Sequence, residues 1–172
     1  GLDLAFQIEP LGMLFSLVAS GLWILTSLYA IGYMRGHHEE NQTRFFAFFA
    51  VAISAALAAA FSGNMLTLFF SYEVLTLSTY PLVTHHRTPE ALRAGRIYMG
   101  ILLSTSIGLL LFGVLLTYHV AGTLSFIQGG ILAGHATPLM TGVLLFLYAY
   151  GTGKAALMPI HRWLPNAMVA PT

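Results

Sequence analysis

Apolar stretches separated by short polar breaks run the length of the chain, at residues 11–33, 45–61, 65–83, 97–118 and 138–158. A bilayer core about 30 Å thick takes about 20 apolar residues per helix, so the pattern predicts five membrane-spanning helices. The first stretch is uncharged and carries Trp23, Tyr29 and Tyr33, the last two placed to mark a membrane interface. The second is rich in Ala and Phe and runs into Ser62, Gly63 and Asn64, a turn signal. The third holds Glu73 near its middle, and the fifth holds Lys154 close to Gly151, Gly153 and Pro159. Residues 119–137 contain Gly122, Gly129, Gly130 and Gly134 and read as an external loop, with at most a short strand or helical turn.

The polar segments alternate in charge. Residues 34–44, 84–96 and the region of Arg162 carry Arg35, Arg44, Arg87, Arg93, Arg96 and Arg162. Residues 62–64 and 119–137 carry neither Lys nor Arg. Basic loops favour the cytoplasmic side, so the first span is expected to enter from outside. Five crossings and one orientation agree with each other.

Composition narrows the function. The chain is 57% hydrophobic and 8% charged, against about a quarter charged in soluble domains. A net charge of +1 gives no reason to expect a nucleic-acid partner. Without cysteine there can be no thiolate-ligated iron–sulfur cluster, disulfide or covalent c-type haem in these residues. No cofactor and no metal are therefore expected here, and any redox centre belongs elsewhere. Both ends read as truncated, since Gly1 opens the chain and Ala170, Pro171 and Thr172 close it without a polar tail.

Two ionisable residues, Glu73 and Lys154, fall inside the apolar stretches. A charge at mid-membrane costs at least about 2.5–3.5 kcal/mol on insertion scales, and such residues mark ion or proton paths by default. Thr76 and Tyr80 follow Glu73 at helical spacing, forming a polar stripe expected to face inward. The glycines around Lys154 weaken the helix, and Pro159 removes a backbone donor to Ala155. Broken backbone at membrane depth is tolerated beside protein or a hydrated cavity, and a lysine there resembles an ion site. A phosphate-binding loop is excluded: Tyr148 stands where its first glycine is needed, and Ala155 where its Ser or Thr is needed. The plainer alternative is a buried Glu73–Lys154 salt bridge that only fixes packing. Of the histidines, His37, His38, His85, His86, His119 and His135 read as solvated loop residues. His161, seven residues after Lys154, is a candidate proton relay.

The run FFSYEVLTLSTY (69–80) resembles the glutamate-bearing helix of antiporter-like proton-translocating membrane subunits. The run GKAALMPIHRWLPNAMVAPT (153–172) resembles that family's broken lysine helix. The family includes the large membrane subunits of complex I (NADH:quinone oxidoreductase), of Mrp-type cation/proton antiporters and of membrane-bound hydrogenases. The resemblance implies an all-α membrane protein, a fragment of a larger fold built from inverted repeats. It implies that Glu73 and Lys154 are the acid–lysine pair, and that His161 stands where histidine is common. Ala155 departs from the Ser that many members carry. Within the family the sequence looks closest to the Mrp-type D subunit, and a proton-pumping subunit of a redox-driven complex is the alternative. The implied partners are the lipid bilayer, other membrane subunits, protons and Na+ or K+, in a bacterial inner membrane. Burial and a carboxylate about 7 Å away oppose each other in setting a lysine's proton affinity. Burial shifts it by up to about 3–5 pKa units, the carboxylate by about 1.7 at an effective dielectric near 20. Moving or neutralising Glu73 can therefore decide whether Lys154 holds its proton.

Overall fold

Three of the helices open on proline, which fits a first turn because its missing N–H would have no partner there. They are α1 (Pro10–Gly36), α4 (Pro89–Thr105) and α6 (Pro138–Gly151); α2 (Gln42–Ala60) and α3 (Met65–Val83) lie between the first two. Side chains just before three of these starts cap exposed backbone donors. Asn64 accepts from the Thr67 amide at 2.8 Å, Thr88 from Ala91 at 3.1 Å and Thr137 from Met140 at 3.3 Å. The computed structural model describes residues 2–168, so residues 169–172, the end of the second motif, lie outside the described residues.

α4 does not end at Thr105. It widens into a π-helical stretch, Ser106–Leu111, and continues as α5 (Phe112–Ala121), giving one span of 33 residues. α1, α2, α3 and this composite helix are each long and apolar enough to cross a membrane. α6 has 14 residues, about 21 Å of rise, too short to cross alone. The regular helix thus stops seven residues before the apolar stretch does, at the glycines rather than at Pro159. A 3-10 turn (Gly153–Ala155), a second one (Ile160–Arg162) and the short α7 (Trp163–Ala167) complete the path. The protein is an all-α integral membrane bundle whose last long element is broken.

α2 lies along α3, α4 packs on α3 and α7, and α6 lies against the π stretch and α5. Small residues permit the closest approaches, as in membrane bundles generally. A methyl group on Gly12 would collide with the Ala60 carbonyl oxygen, and one on Gly151 would come 2.6 Å from the Leu110 nitrogen. Leucines along α1, including Leu14, Leu17, Leu22, Leu25 and Leu28, stay exposed, as a lipid- or helix-facing surface requires.

The polar breaks gather at two ends. At one, the N-terminal segment, the 62–64 turn and the chain after Gly122 are stitched together. Gln7 N–H donates to Phe61 O and Gly63 N–H to Ala5 O, both at 2.8 Å, and Met65 N–H to Leu124 O at 3.0 Å. Isolated bridges pair Phe6 with Ser62 and Asn64 with Ser125, where the glycine-rich loop makes contact without building a strand. At the basic end, Arg44 donates to the His85 carbonyl at 2.8 Å, and the Glu39 carboxylate lies 3.9 Å from His85 and 3.6 Å from His86. His85 is buried, with a side chain only 2% exposed, and so is not the solvated loop residue its position suggests.

Candidate functional site

Lys154 sits in the first of the two 3-10 turns that follow the end of α6. Ala156 leaves that turn in the left-handed region, at φ 52°, so no helix can continue from it. Every break of this kind strands backbone polar groups, and inside a membrane each must find a partner. Several are satisfied within the turn: Ala155 N–H donates to Thr152 O at 2.9 Å and Ala156 N–H to Gly153 O at 3.1 Å. The Thr152 hydroxyl turns back to the Tyr148 and Ala149 carbonyls at 3.0 and 3.1 Å. The Gly153 carbonyl also accepts the Trp163 indole N–H at 2.8 Å. The Lys154 amide donates to the Tyr72 hydroxyl at 3.0 Å.

Tyr72 engages the lysine side chain as well. The Lys154 ammonium stands 4.3 Å from the centroid of the Tyr72 ring and 3.4 Å from the Tyr72 carbonyl oxygen. That carbonyl also accepts the hydroxyl of Thr76, a fully buried residue, at 2.9 Å. Glu73 is half-buried and within electrostatic reach of Lys154. Among the described residues, however, no ion pair of 4 Å or less joins the two, and Glu73 Oε1 is buried without a hydrogen-bond partner.

The structure therefore brings Lys154 and Thr76 to the same Tyr72 carbonyl, with Glu73 adjacent in the chain. Tyr80 continues the stripe toward the basic end, where it shares a cavity of about 340 Å³ with Arg44, Thr84 and Arg87. His161 lies beyond the break, half-buried, with Nδ1 unpartnered. Buried polar atoms without partners are rare and call for a reason, such as water or a transferable proton.

Three participants escape the sequence reading. Tyr72 was legible in principle, since Tyr72, Thr76 and Thr79 share a face at i, i+4 and i+7. Trp163 has an indole N–H that must find an acceptor when buried. Its ring packs edge-on to Tyr98 at 5.8 Å and against the Val83, Tyr98 and Leu102 core. Tyr98 in turn hydrogen-bonds Thr79. The π stretch leaves no mark in an unbroken apolar run, yet the end of α6 packs directly on it. A methyl group on Gly153 would collide with the Thr105 hydroxyl.

Comparison with known proteins agrees with this architecture. Residues 62–172 match the family described as NADH:quinone oxidoreductase/Mrp antiporter, TM. Residues 1–46 match the family described as NADH-Ubiquinone oxidoreductase (complex I), chain 5 N-terminus. NADH-quinone oxidoreductase subunit L of Mycobacterium tuberculosis (strain ATCC 25618 / H37Rv) is 28% identical, the alignment covering 99% of this chain and 27% of the relative. The probable K(+)/H(+) antiporter A/B subunit of Rhizobium meliloti (strain 1021) is 29% identical over 100% of this chain and 17% of its own length. A chain in the structure of the membrane-bound sulfane sulfur reductase, an archaeal respiratory membrane complex, superposes with a TM-score of 0.66 at 30% identity. The match covers 72% of this chain and 26% of that one. The chain thus spans about a quarter or less of the length of these relatives. It belongs to the NADH:quinone oxidoreductase/Mrp antiporter transmembrane family.

Proposed function

We propose that this chain moves protons, alone or in exchange for a cation such as Na+ or K+, as part of a membrane subunit in a multi-subunit complex. The observation that carries the reading is the Lys154 ammonium, held at a helix break against Tyr72 and within electrostatic reach of Glu73. A lysine on a flexible stem at such a break can hold a proton, release it and reorient without unfolding the span. Ionised Glu73 favours the protonated lysine, and a neutral or withdrawn Glu73 favours release. His161, with its unpartnered Nδ1, is the proposed acceptor across the break, and Thr76 and Tyr80 support the polar stripe.

Relatives on both sides of the family leave two drivers. One is a redox reaction in neighbouring subunits, as the names NADH-quinone oxidoreductase subunit L and complex I chain 5 suggest. The other is antiport, as the name of the Rhizobium meliloti K(+)/H(+) antiporter protein suggests. The match of residues 1–46 to the chain 5 N-terminus supports kinship with chain 5 over the D-type that the motifs resemble. The bacterial inner membrane is the proposed location. A purely structural role is a third reading. The absence, among the described residues, of a 4 Å ion pair between Glu73 and Lys154 counts against it.

The test is proton flux in vesicles holding the complete protein in its own complex. Lys154→Ala and Glu73→Gln should each abolish coupled flux while the complex still assembles. Normal flux in both variants would refute the reading.

A further inference from the structure

Tyr72 contributes three separate contacts to Lys154. Its hydroxyl accepts the lysine backbone N–H, its ring lies under the ammonium, and its carbonyl faces the same ammonium. Glu73, one residue on, projects about 100° further around α3 and holds none of these positions. One ammonium thus has two competing seats, an aromatic face with a carbonyl and a carboxylate whose Oε1 has no hydrogen-bond partner. The backbone of Lys154 is pinned by the Tyr72 hydroxyl, so only the side chain is free to swing between them.

We propose that Tyr72 is a positioning residue that seats the Lys154 ammonium apart from Glu73, so that proton release follows the lysine's passage between the ring and the carboxylate. The proposal rests on reading Lys154 as the proton-bearing group. An aromatic face attracts a cation through its quadrupole and more strongly out of water, yet offers no site for a proton. It therefore holds the charged lysine and lets go of the neutral one. A carboxylate does neither so cleanly, because it can itself take the proton.

The experiment uses the complete protein in its complex, reconstituted in vesicles, with proton flux measured across pH. Tyr72→Phe keeps the face and loses the hydroxyl. It should lower the rate a few-fold and leave the midpoint of the pH profile in place. Tyr72→Leu removes the face and should move that midpoint by about half a pH unit or more. Progressively fluorinated phenylalanines at position 72 weaken the quadrupole with little change of shape, and guard against a Leu variant that does not assemble. The midpoint should move stepwise with fluorination. A flat series, alongside loss of flux in Lys154→Ala, overturns the role of Tyr72 and leaves the lysine reading standing. Full flux in Lys154→Ala overturns both.

Discussion

The indole N–H of Trp163 donates to the carbonyl of Gly153 at 2.8 Å, joining the two sides of a helix break ten residues apart in the chain. The same ring packs on Tyr98, so this bond ties the broken segment to α4.

Trp163→Phe should keep much of that packing and lose the bond. The Gly153 carbonyl keeps the Ala156 N–H at 3.1 Å, so the change removes one of its two hydrogen bonds and costs about 0.5–1.5 kcal/mol. The expected result is a lower thermal midpoint for the detergent-solubilised protein and a leak or slowing of flux. A variant indistinguishable from wild type on both measures would show that water replaces the indole.

Gly151 has no room for a side chain. A methyl group there would meet the Leu110 nitrogen at 2.6 Å and its Cα at 2.7 Å, backbone that cannot turn aside. Gly151→Ala should destabilise by about 1–3 kcal/mol through overpacking, read as reduced folded yield. Gly142→Ala on the same helix meets nothing within 4 Å and serves as the control. Equal yields from the two would mean that α6 and the π stretch do not touch this closely.

Much of the architecture was legible because lipid imposes a simple rule on a helix. Stretches of the right length, Glu73 and Lys154 within them, and arginines on alternate loops needed no structure to be read. What stayed hidden depends on contacts between segments far apart in sequence. His85 looks like any loop histidine until Arg44 from α2 and Glu39 from the preceding loop are seen to enclose it. Tyr72 looks like an ordinary aromatic of a membrane helix until a turn 82 residues away hydrogen-bonds to it. The early end of α6 was hard to locate for another reason. Gly151, Gly153 and Pro159 all weaken a helix, and only packing against Leu110 and Thr105 selects the first two.

His85 also makes the basic end pH-sensitive. Burial, followed by the positive charge of Arg44, lowers its pKa from the ordinary 6.5, with Glu39 opposing and His86 adding to the effect. An imidazole freed from this pocket binds protons more readily than one inside it. The stabilisation it lends the two loops is therefore present above about pH 6.5 and fades as the pH falls through and below that value. His37, His38, Glu40 and Arg87 line the same cavity and contribute to its field. Hydrogen exchange over residues 37–41 and 84–88 should quicken on going from about pH 7.5 to about pH 5, beyond the intrinsic change. His85→Gln should flatten that difference. If the loops respond identically with glutamine in place, His85 is not the sensor.

A π turn holds more residues per circuit than an α turn, so a helix that passes through one emerges rotated. Below Ser106 the long span turns Tyr98 and Leu102 toward Trp163; above Leu111 it turns Thr117 toward Tyr148, whose hydroxyl lies 2.7 Å away and also reaches the sulfur of Met65. The wide stretch works as a phase shifter. It lets a single rod meet neighbours in two different directions, and it blurs any regular polar stripe along its 33 residues.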